Sequence, residues 1–115
     1  MNVDDVALTD AWCACALGRS ISHEEHLRIS FVLLRRHGRD EGRRLIVERT
    51  RANCDALDVA DRYDDALTRR WADALADAVE RSAAPNADEF LRERPELARG
   101  DLLGLPAWKT AMEDG

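Results

Sequence analysis

ISHEEHLRISFVLLRRHG, residues 21–38, is the stretch that decides the fold. Ser22 followed three residues later by Glu25 is a capping box, and Ile21 stands ready as its hydrophobic staple. Helix then runs from His23 to about His37, where Gly38 stops it. Leu27, Ile29, Phe31, Val32, Leu33 and Leu34 are too many apolar residues for a thin amphipathic stripe. A helix apolar on most of its circumference is buried, so this one is the centre of a helical bundle.

Working outward, the chain keeps a helical rhythm. Upstream, residues 10–17 read as a short helix with Thr9 as N-cap and Gly18 as terminator. Downstream, Asp40 caps a helix over 41–56, residues 58–61 connect, and the longest helix spans 62–82. There Tyr63, Leu67, Trp71, Ala74, Leu75 and Ala78 recur at helical spacing. Asn86 with Glu89 opens a short helix that must end near Pro95. Leu102, Leu103, Leu105 and Trp108 are apolar anchors in a looser tail, where Pro106 suits the first turn of a last helical piece. The expected architecture is all-α: one domain, residues 1–115, a bundle of four to six helices with a loosely structured C-terminal tail.

Bulk composition narrows the function classes. Acidic residues outnumber basic ones, 23 to 17, for a net charge of −6, which speaks against a nucleic-acid partner. Arg35, Arg36, Arg39, Arg43 and Arg44 cluster, but Glu41 and Glu48 interrupt them, as expected of a solvated polar face. No apolar run approaches the ~20 residues of a membrane span, and the first residues lack a basic leader. A cytoplasmic protein is expected. Arginine supplies every basic side chain except Lys109, and with the abundance of alanine this points to a GC-rich bacterial genome. Three cysteines, Cys13, Cys15 and Cys54, make no disulfide framework.

The histidines carry the chemical interest. At about 100° per residue, His23, His26 and His37 fall within about 60° of one another, on the same arc as Leu27, Leu33, Leu34 and Ser30. His37 is about 21 Å along the axis from His23 and belongs with the helix C-terminus. His23 and His26, three residues apart, are close enough to ligate one ion. On the helix read over 62–82, Asp64 falls inside the apolar arc, beside Tyr63. Two imidazoles and a carboxylate with open positions describe a divalent site of zinc or non-haem iron type. The same residues also fit a metal-free buried His23–Asp64 pair, or an acid/base set of Tyr63 and Asp64 with His23. No phosphate loop, nucleophile elbow or paired CxxC occurs.

Ile21-Ser22-His23-Glu24-Glu25-His26-Leu27, then Tyr63-Asp64-Asp65-Ala66-Leu67-Thr68 with Trp71, then Phe90 and Pro95-Glu96-Leu97, resemble a group of small all-helical bacterial proteins. That group pairs a Phe-[Ser/Thr]-His-x-x-His-Leu start with a later Tyr-His-x-Thr-Leu-Thr-x-x-Trp block. The resemblance covers residues 21 to about 103 and implies a three-histidine constellation at His23, His26 and the position after Tyr63. Here that position is Asp64, which keeps ligand capacity but changes charge and softness. The tail also departs from the group, with Leu103-Gly104-Leu105-Pro106 where a tyrosine-rich stretch is expected.

Two functional expectations follow. In the first, His23, His26 and Asp64 hold one divalent metal ion, Tyr63 hydrogen-bonds a ligand, and the site acts on a small molecule in a specialised bacterial pathway. In the second, the histidines are structural and the chain is a non-catalytic interaction or homodimerisation module. Trp12, Leu102, Leu105 and Trp108 would then form an exposed patch that a partner covers.

Overall fold

The computed structural model describes residues 3–98, and these are all-α. In chain order they form α1 (Val3–Cys13), α2 (His23–His37), α3 (Arg39–Ala56), α4 (Asp65–Glu80), α5 (Ala87–Glu93) and the single turn α6 (Pro95–Ala98), with a 3-10 turn at Ala60–Arg62. The expected tail and its anchors Leu102, Leu103, Leu105 and Trp108 lie outside the described residues.

Helix α2 has the bounds its sequence dictates. The Ser22 hydroxyl accepts the Glu25 N–H, and the Glu25 carboxylate accepts the Ser22 N–H, closing the capping box. Arg19 grips the same carboxylate at 2.8 Å, and Arg35, Arg36 and His37 complement the dipole at the far end. α2 packs on α1, α3, α4, α5 and α6, so it is central in fact as well as in composition. Leu27, Ile29, Phe31 and Leu33 are buried, meeting Ile46 of α3, Trp71, Leu75 and Val79 of α4 and Phe90 of α5 in one core.

One residue joins α2 to α3. Gly38 has φ +86° and ψ 175°, a conformation essentially closed to other residues, and its N–H closes on the Leu34 carbonyl. The two helices then run so close that a Cβ on Gly42 would sit 2.8 Å from Leu34 Cα and 3.0 Å from the Leu33 carbonyl oxygen. α3 therefore starts at Arg39, ahead of the expected Asp40 cap, with no side-chain cap.

Other boundaries differ from the sequence reading for identifiable reasons. Thr9 is no N-cap: it lies inside α1, buried, its hydroxyl donating to the Asp5 carbonyl at 2.7 Å. Nor does Gly18 end that helix. Cys15 does, at φ 55°, with Cys15 N–H to Trp12 O and Ala16 N–H to Ala11 O in the Schellman pattern. Asp58, φ 59°, ends α3 in the same way through Asp58 N–H to Asp55 O and Val59 N–H to Cys54 O. α4 begins at Asp65 rather than 62, because the 3-10 turn and an extended Tyr63 (φ −74°, ψ 126°) come first.

Ion pairs fasten the periphery. Arg28 meets Asp5 of α1 at 3.2 Å and Asp88 of α5 at 2.6 Å, holding both helices to α2. The arginine cluster is engaged one side chain at a time. Arg35 donates to the Ser82 and Ala84 carbonyls, Arg36 pairs with Asp10, and Arg39 with Asp77 and Glu80. Arg43 pairs with Asp73, and Arg44 with Glu41 and Glu48. No helix among the described residues is long and apolar enough to cross a membrane.

Candidate functional site

The inward face of α2 brings His26 into the middle of the core. Its ring stacks on Trp71 of α4 at 4.2 Å between centroids, 27° from parallel, and lies 5.6 Å from Trp12 of α1 at a tilt of 52°. Only 2% of the residue is exposed. Nε2 sits 3.4 Å from Thr50 Oγ1 of α3, whose own hydroxyl donates to the Ile46 carbonyl at 2.6 Å. That donation leaves Thr50 a lone pair to offer, so His26 is the donor through Nε2–H and the long contact fixes the tautomer. Nδ1 is then an unprotonated acceptor, and among the described residues it is buried without a hydrogen-bond partner. Burial, reinforced by the nearby His23, pushes the His26 pKa down to about 3, so the ring is neutral at physiological pH.

One turn along α2, Ser30 Oγ is likewise buried without a partner among the described residues. His23, the first residue of α2, is 4% exposed and donates through Nε2–H to the Leu97 carbonyl at 2.5 Å. That bond clasps the α6 turn to the start of α2. The two inward histidines are thus buried as the helical wheel requires, while His37 is exposed at the end of the helix.

Asp64 is not their partner. It is exposed, and as the N-cap of α4 its carboxylate accepts the Leu67 N–H at 2.9 Å. A helix starting at residue 62 would place Asp64 on the buried arc; with the helix starting at Asp65, Asp64 lies outside that periodicity. Among the described residues no three His, Cys, Asp or Glu side chains come together to hold a metal ion, so His23, His26 and Asp64 do not form the expected set. The described residues therefore offer no set that fits a zinc or iron site. The cysteines are free, and burial raises the thiol pKa of Cys13 and Cys54.

Tyr63 belongs to a different constellation. Its phenol donates to Asp65 Oδ1 at 2.7 Å, while Asp65 Oδ2 accepts from Arg69 Nε at 2.8 Å. Burial and the adjacent Asp65 carboxylate push the Tyr63 pKa up to about 12, which keeps it a donor rather than an acid/base group near neutrality. This chain forms one side of a cleft of about 410 Å³ lined by Arg51, Asp55, Ala60, Tyr63, Asp65 and Arg69. Sequence reasoning missed it, although Asp65 and Arg69 stand four apart with the acid N-terminal, the favourable order for a helical ion pair.

Trp12, expected on an exposed patch, is instead 2% exposed and packed in the core, with its carbonyl accepting from Asn53 Nδ2 at 2.9 Å. Val3 is the exposed large apolar side chain among the described residues. Comparison of the chain with protein-family models, with curated proteins and with solved structures gives no match in any of the three.

Proposed function

We propose that the protein is a non-catalytic helical recognition module whose histidines are structural. The observation that carries this reading is the Trp12–His26–Trp71 stack. It joins one ring from each of α1, α2 and α4, and its central imidazole is held neutral and out of solvent. A catalytic histidine needs access to a substrate proton. This one is enclosed by two indoles, a position that favours core packing over proton transfer. The His23–Leu97 bond supports the same role, since it fixes a late turn of the chain to the first turn of α2.

Recognition by such a module runs through polar groups, because the described surface presents charged side chains and Val3 rather than a broad apolar face. The deciding measurement is metal content of the untagged wild-type protein by plasma mass spectrometry, before and after incubation with zinc and ferrous iron. Substoichiometric metal in both samples is the expected result. About one equivalent, lost in His26→Leu, overturns the reading in favour of a metal site.

A further inference from the structure

The cleft beside Tyr63 has the two signs of charge that a small ligand of mixed charge requires. On the α3 side stand Arg51 and Asp55, one helical turn apart. Their side chains form no hydrogen bond or ion pair among the described residues, and the Arg51 charge acts across the cleft on Tyr63 and Asp65 without contacting either as an ion pair. This contrasts with Arg28, Arg36, Arg39, Arg43 and Arg44, each satisfied by a carboxylate. On the α4 side, the Tyr63–Asp65–Arg69 chain is already ordered. Asp65 takes the Nε–H of Arg69, leaving the terminal guanidinium nitrogens to donate elsewhere.

We propose that this cleft binds a small zwitterion, a molecule carrying one carboxylate and one ammonium group and of the size of a free amino acid or a dipeptide. Arg51 and the free edge of Arg69 take the carboxylate, and Asp55 takes the ammonium. Guanidinium groups are the preferred partners of a planar carboxylate, which they meet with paired hydrogen bonds. A bare anion such as phosphate would be drawn to the arginines but would face the Asp55 and Asp65 carboxylates in the same cleft. A bare amine would face two guanidiniums. Only a ligand with both charges leaves no like-charge opposition, and that is how such a site discriminates. A volume of about 410 Å³ is at the small end of ligand pockets and suits one or two residues of peptide. The proposal does not depend on the histidines being structural, because neither His26 nor either tryptophan of the stack lines the cleft.

The test is a nuclear magnetic resonance titration of the full chain with alanine, dialanine, N-acetyl-dialanine, dialanine amide and inorganic phosphate. Saturable shifts of the Arg51 and Arg69 Nε–H signals and of the Tyr63 ring are expected with alanine or dialanine. The two blocked peptides and phosphate should bind at least about tenfold more weakly. Arg51→Gln should weaken dialanine about tenfold, while Arg44→Gln, on α3 but engaged with Glu41 and Glu48, should leave it unchanged. Thermal melts of both variants guard against misfolding, and Arg51 is exposed, so its replacement spares the core. Absence of saturable shifts with alanine and dialanine up to about 10 mM overturns the proposal. So does equal binding of phosphate or the acetylated peptide, or wild-type affinity in Arg51→Gln.

Discussion

His26 stores a pH dependence that can be read in isolation. Its folded pKa of about 3 lies below the unfolded value of 6.5, so below pH 6.5 the unfolded chain binds a proton that the native state refuses. The contribution is intact above pH 6.5 and is lost as pH falls toward 3, at about 1.4 kcal/mol per pH unit. Glu25 acts in a lower window. Held down to about 2, first by Arg19, it contributes fully above 4.5 and loses that contribution progressively as pH falls from 4.5 through 2. Between pH 4.5 and 6.5 the imidazole is therefore separated from this carboxylate. Urea unfolding in that range should show His26→Leu losing about 1.4 kcal/mol per pH unit of slope relative to wild type. An unchanged slope would mean that the ring protonates without leaving its place between the tryptophans.

Among the elements, legibility followed the strength of the local signal. α2 could be read to the residue because capping box, apolar content and Gly38 all agree. α1 could not, since its end depends on Cys15 adopting a left-handed conformation that sequence alone does not assign to cysteine. The periodicity of α4 extends three residues beyond its true start, and that difference is enough to carry Asp64 from an exposed N-cap onto the apolar face. Inward histidines were thus legible and their partners were not, because partners depend on where a different helix begins. At the α2–α3 contact, alanine's better helix propensity at Gly42 works against a backbone neighbour that cannot yield. Gly42→Ala should accordingly cost about 1–3 kcal/mol, seen as a lower urea midpoint with little change in m. A neutral or stabilised variant would show that the two helices can separate without penalty.

At the scale of the whole molecule, the cleft beside Tyr63 was invisible to periodicity because it needs α3 and α4 side by side in one register. The arginine cluster was legible only as charge; that its members fasten Asp10, Asp73, Asp77 and Glu80 to the α2–α3 pair required the tertiary fold. The single-residue joint at Gly38 has one more consequence, and it concerns the order of events when the chain folds. Closing so short a connection costs little chain entropy, so α2 and α3 are positioned to meet before the more distant clasp of Arg28 on Asp88 or of His23 on Leu97. Stopped-flow refolding should therefore give Ile46→Val a φ-value well above that of Phe90→Leu, with the α2–α3 hairpin as the nucleus onto which α5 and α6 condense last. Equal values at the two sites would place the late helices in the nucleus as well.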